Sequence, residues 1–217
     1  WLTLDASTGV ISGTPATPDI TGTTITITAA VGNGITAASS SKDFTLKVNY
    51  GTPDITATTY KGETQTDTFI YGDTITVSGK IAASSQAPSN DINAITEPEQ
   101  NQVGLYLGET ELATENVESD GSFTLEYNTS GKDIPIGADQ TLTVRYGGSS
   151  TLNSGSTTVQ ITLNKKSVTA QVQGKITKVY DGGTTATVNL SVASGLVNSG
   201  DVVTVSAPDA AYTSAEV

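Results

Sequence analysis

Paired carboxylates are the groups in this 217-residue sequence best suited to acid–base chemistry, because it contains no His and no Cys. Without those residue types a Ser-His-Asp triad, a thiol nucleophile, the usual zinc site, an iron–sulfur cluster and a histidine-ligated haem are excluded. A glycosidase needs one carboxyl protonated and one ionised, about 5 to 9 Å apart. The candidates are Glu97 with Glu99 and Glu109 with Glu111. Both pairs lie in polar stretches that offer nothing to raise a pKa. They read as a solvated acidic surface, no catalytic residue is assigned, and the chain is expected not to be an enzyme.

Other ligand chemistries fare no better. Calcium takes carboxylates and backbone carbonyls, but no Asp-x-Asp-x-Asp-Gly loop occurs and the junctions at 49–54 and 164–168 offer only Asp54. No cofactor-binding residue and no metal ligand is assigned, and calcium is the one cofactor left open. Stacking on sugars needs coplanar exposed rings. Of the eight Tyr, three Phe and one Trp, most fall at alternating strand positions where packing explains them. Tyr60, Tyr71, Tyr106 and Tyr212 have no fixed direction, and a core or domain-edge role is expected for them. Lys61, Lys80 and Lys175 are available for an isopeptide crosslink, with no motif in support. Asn128-Thr129-Ser130 and Asn189-Leu190-Ser191 match the glycosylation sequon, a short pattern of low specificity.

The charge balance narrows the partners. Ten bases against 22 acids give a net charge of −12, which repels nucleic acid and anionic headgroups. No apolar run approaches the roughly eighteen residues of a membrane-spanning helix. The absence of Met suggests a piece of a longer protein. With 38 Thr, 22 Ser and 22 Gly, the composition favours strands and turns. The lack of Cys fits an extracellular bacterial chain, on the cell surface or secreted, rather than a disulfide scaffold.

The elements that must carry these residues announce themselves by period-two alternation. Ile25 and Ile27 share a face, as do Phe44, Leu46 and Val48, then Ile75 and Val77, then Val103, Leu105 and Leu107. Further sets are Phe123, Leu125 and Tyr127; Leu142, Val144 and Tyr146; Val159, Ile161 and Leu163; and Val203 and Val205. Such short runs, apolar on one face and polar on the other, are antiparallel strands half in water. Tight turns are expected at Asp5 to Gly9, at Gly108-Glu109 and at Asp120-Gly121. Short, semi-rigid junctions fall at Val48 to Pro53 and at Leu163 to Val168. Ala82 to Gln102 is polar, holds Pro88 and Pro98, and reads as a long loop.

Three stretches resemble known families. Leu2-Thr3-Leu4-Asp5-Ala6-Ser7-Thr8-Gly9-Val10-Ile11-Ser12-Gly13-Thr14-Pro15 resembles the bacterial putative-Ig family of surface proteins. There it forms the second half of a cadherin-like or Ig-like sandwich, which implies a first domain incomplete at its N-terminus. Tyr71 to Gly79, Val103 to Gly108, Asp120 to Leu125 and Leu142 to Gly148 look like another bacterial Ig-like repeat. Lys178-Val179-Tyr180-Asp181-Gly182-Gly183-Thr184-Thr185, with Gly195 to Val197 and Gly200 to Val205, is similar to the YDG repeat of haemagglutinin-like surface proteins, Gly183 being an extra residue. Gly72-Asp73 and Gly200-Asp201 also echo one another ahead of a β-branched run.

The expected fold is all-β, with tandem Ig-like antiparallel β-sandwich domains arranged end to end. The expected domains are 1–50, a partial putative-Ig or cadherin-like sandwich; 51–165, a bacterial Ig-like sandwich with the 82–102 loop; and 166–217, a partial YDG-type β domain. The function read from this is a non-catalytic part of a multi-domain bacterial cell-surface protein, a stalk and adhesion module. The alternative is an accessory or carbohydrate-binding region of an extracellular polysaccharide-degrading enzyme. The partner would be a host or bacterial surface protein or a glycan, with no nucleic acid and no membrane insertion. Incomplete end domains would also leave strand edges open to another chain.

Overall fold

The computed structural model describes residues 1–31, 38–83, 101–131 and 133–213. Its strands are β1 (Leu2–Leu4), β2 (Ile11–Gly13), β3 (Asp19–Val31), β4 (Ala38–Val48), β5 (Pro53–Lys61), β6 (Thr64–Gln65), β7 (Thr68–Ile70) and β8 (Thr74–Ala83). They continue with β9 (Gln102–Leu107), β10 (Thr110–Asn116), β11 (Ser122–Asn128), β12 (Gly137–Tyr146), β13 (Gly155–Asn164), β14 (Thr169–Val172) and β15 (Leu190–Ser194). The chain is all-β, as the alternation predicts.

The middle of the chain forms two sheets, a four-stranded one in the order β11-β8-β5-β6 and a five-stranded one in the order β10-β9-β12-β13-β7. All pairings in them are antiparallel except β7 with β13, where Leu163 stands beside Phe69 in parallel register. The first strand β5 thus joins one sheet, and after a short break β7 crosses to the other. This is the strand order of an Ig-type sandwich.

Period-two alternation decides what lies between the sheets. Ile75, Val77 and Ile81 of β8 and Phe123, Leu125 and Tyr127 of β11 face Val103, Leu105, Leu142, Val144, Ile161 and Leu163 in one buried cluster. Residues between them in sequence, such as Thr124, Glu126 and Thr141, stay exposed. Fully burying a Val, Leu, Ile or Phe side chain contributes about 1.5–3 kcal/mol, so this cluster dominates the stability of the molecule.

The turns follow the local chemistry. Gly108, at φ 60, opens a two-residue reversal in which Leu107 pairs with Thr110. Asp120 accepts the Ser122 amide at 2.9 Å and the Ser122 hydroxyl at 2.6 Å, while Gly121 sits at φ 85. Asp5 does the same for Ser7 and Thr8, and these bonds draw its carboxyl down to about 2.

Among the described residues outside the sandwich, strands pair two by two: β1 with β2, β3 with β4, and β14 with β15. Among the described residues every buried side chain belongs to the span from Thr59 to Leu163. Two sequence expectations change here. Val203 and Val205 are not in a strand, because among the described residues no neighbouring segment supplies the hydrogen-bond ladder a strand requires. Their alternate half-burial survives without it. Of the expected 82–102 loop, Ala82 and Ala83 belong to β8 and Gln102 opens β9, while residues 84–100 lie outside the described residues.

Candidate functional site

Side chains far apart in sequence converge at the turn between β7 and β8. Gly72 adopts φ 96 there, a left-handed conformation that glycine takes without penalty. Asp73 fixes the turn: its carboxylate accepts the Ile70 amide at 2.9 Å and the Lys61 ammonium at 2.6 Å. The Asp73 carbonyl accepts both the amide and the hydroxyl of Thr129, at 3.0 and 2.9 Å. That hydroxyl in turn accepts the Gly72 amide at 2.7 Å, and Thr129 is fully buried. Burial works against the charged carboxylate of Asp73, but the Lys61 and Ile70 hydrogen bonds, with the charges of Lys61 and Lys166, leave its pKa below the ordinary value.

With its backbone tied down, the turn presents Tyr71 to the C-terminal segment. The Tyr71 hydroxyl donates to Asp201 Oδ1 at 3.0 Å and accepts from Asn198 Nδ2 at 3.2 Å. Asn198 Nδ2 also reaches the Ser130 carbonyl at 3.0 Å. Asp201 organises its own turn in the manner of Asp73: its other oxygen accepts the amides of Val197 at 3.2 Å and Asn198 at 3.0 Å. The two echoed Gly-Asp turns therefore meet. Val197 lies so close over Gly72 that a Cβ there would stand 2.7 Å from a Val197 methyl.

Beside this contact is a cleft of about 520 Å³. Ile134, Pro135 and Ile136 line it from the sandwich, Leu196 and Val202 from the C-terminal segment, and Lys165 and Lys166 from the junction. Tyr127 holds the sandwich wall in place by donating to Asp133 Oδ2 at 2.7 Å. Burial first, and then that hydrogen bond, push the Tyr127 hydroxyl up to about 12. The site pairs a hydroxyl with a carboxylate and an amide, so it can dock two segments.

The residues singled out by sequence are scattered. Glu109 holds Arg145 through two oxygens, at 2.9 and 3.1 Å, and Arg145 lies 4.4 Å over the Tyr106 ring. Tyr106 donates to Glu111 at 2.6 Å. The Arg145 hydrogen bond lowers the pKa of Glu109 and the Tyr106 hydrogen bond lowers that of Glu111, the reverse of what a proton donor needs. Glu97 and Glu99 lie outside the described residues. Asp54 is exposed in β5, Tyr60 half-buried in the same strand, and Tyr212 exposed, its amide bonded to the Thr184 carbonyl. Lys61 forms a half-exposed ion pair with Asp73, and Lys80 sits 3.9 Å from Asp120. The sequence singles out Tyr71 without a direction, Ser130 only as part of a sequon and Val197 only within the YDG resemblance, and it does not single out Asn198; the Gly-Asp echo, which reads as a sign of related modules, is the signal that falls at this contact.

Both ends of the chain carry known domain families. The Putative Ig domain matches residues 1–49, and the YDG domain matches residues 164–217. No curated protein and no solved structure matches the chain. The Tyr71 contact thus joins the central sandwich to the YDG domain. Ig-like and YDG domains are generally non-catalytic and are compatible with a surface or stalk protein. Ig-like domains are typical of extracellular or surface proteins, and among the described residues no helix is long and apolar enough to cross a membrane.

Proposed function

We propose that this chain serves as a non-catalytic stalk in a bacterial cell-surface protein. The supporting observation is that the sandwich is bonded directly to the C-terminal segment. The Gly51 amide donates to Thr151 and the Gly51 carbonyl accepts from Asn153, at 2.8 and 2.9 Å, which fixes the start of the sandwich just after the short N-terminal junction. At the other end Tyr71 binds Asp201 and Asn198. Short junctions reinforced this way resist bending, which is what a spacer requires. The excess of acid over base, net −12, keeps such modules soluble and mutually repulsive.

Adhesion is the finer part of the proposal. It rests on exposed apolar residues of the segment that the YDG model matches, where Val179 is 89% and Tyr180 68% exposed, while Val202, 93% exposed, borders the cleft beside the joint. A surface protein or glycan would engage them. Small-angle X-ray scattering tests the stalk: an elongated particle with the three regions in line is expected, and a compact globule with one shared core would overturn it.

A further inference from the structure

We infer that the turn from Val197 to Asp201 is a receptor for the Tyr71 turn, and that residues 165–213 are held in order by this docking rather than by a core among themselves. Two independent observations carry this. The first is the contact itself, in which one hydroxyl gives to a carboxylate and takes from an amide that also caps the Ser130 carbonyl. Hydrogen bonds to an ionised acceptor are about twice as strong as neutral ones. Val197 packs over Gly72 at the same place, where no larger residue would leave room.

The second is the low burial within residues 165–213. Among the described residues from 165 to 213 no side chain is buried, and β14 is exposed along its whole length. An isolated two-stranded sheet is at best marginally stable in water. The pair β14 and β15 nevertheless keeps its register from Ala170 opposite Val192 to Val172 opposite Leu190. Leu190 and Val192 are half-buried. The sandwich meets these residues at the echoed Gly-Asp turns, which are the matched faces of the joint.

Hydrogen exchange on the full chain tests the joint, because it reads the opening of each element separately. Tyr71→Phe removes only the hydroxyl and leaves the ring and the Tyr71 amide bond to Asn164 in place. Asn198→Ala removes the partner from the other side. Each is expected to speed exchange in β14 and β15 by about tenfold or more while β8 and β11 keep native rates, and the double variant to add little to the larger single effect. Exchange within about twofold of native in both single variants would overturn the inference. Equal acceleration in β8 and β11 would also overturn it, because Tyr71 would then support the sandwich and not the joint. Failure here would remove the reinforcement at this junction, whereas scattering registers separately whether the particle is elongated.

Discussion

Gly79 shows how much a single Cα position can decide. It lies on the inward face of β8, in register with Phe123 of β11, and the Phe123 ring covers it. A Cβ at this position would collide with the Thr56 carbonyl oxygen and stand 2.5 Å from the ring. The carbonyl belongs to the neighbouring strand β5 and cannot move without breaking the ladder. Gly79→Ala is therefore expected to lower stability by about 1–3 kcal/mol, the usual cost of overpacking, read as a lower midpoint in urea denaturation. A midpoint unchanged from native would mean that the sheet can spread at β8. Gly108 makes the contrast: a Cβ there meets nothing within 4 Å, so its requirement is the positive φ alone.

The β7–β8 turn is the element on which both the sandwich edge and the joint depend, and Asp73 is its keystone. Its carboxyl is held below the ordinary value, so it stabilises the fold above the ordinary carboxylate range and loses that contribution as the pH falls through its lowered value. Asp73→Asn is expected to cost about 1 kcal/mol at neutral pH, with the gap to native closing in acid, as measured by urea denaturation at several pH values; a gap that stayed constant with pH would show that charge is not the cause. Elements of this kind differ in how well the sequence reveals them. The alternation Phe123, Leu125, Tyr127 names its strand and its buried face because side chains on a strand repeat every two residues. The Asp120-Gly121 turn is equally plain, since Gly supplies the positive φ and Asp the acceptor. The parallel pairing of β7 with β13 was not legible, because three residues carry no period and the partner is about ninety residues away. Nor was the aim of Tyr71, whose place at a strand boundary reads alike whether the ring turns inward or toward another domain. Val203 and Val205 misled for the opposite reason: they have a strand's pattern but no partner strand.

At the scale of the whole molecule, stability is unevenly shared. The buried apolar cluster spans Phe69 to Leu163, and the described residues of both flanks have no buried side chain. Ordering a residue costs about 1–2 kcal/mol of backbone entropy, which β1 to β4 and β14 to β15 cannot offset with the surface they cover. We propose that residues 51–165 form the autonomous folding unit. Produced alone, this segment is expected to unfold in one cooperative transition, with a midpoint within about 5 °C of the main transition of the full chain, a shift equivalent to about 1 kcal/mol for a domain of this size. Calorimetry with near-ultraviolet circular dichroism checks this, since Tyr127 and Tyr146 lie in the core and report its packing. A broad, uncooperative transition would mean that the flanks supply stability the sandwich lacks. The order of dependence would then be reversed, with the sandwich leaning on the C-terminal segment through Tyr71 instead of supporting it.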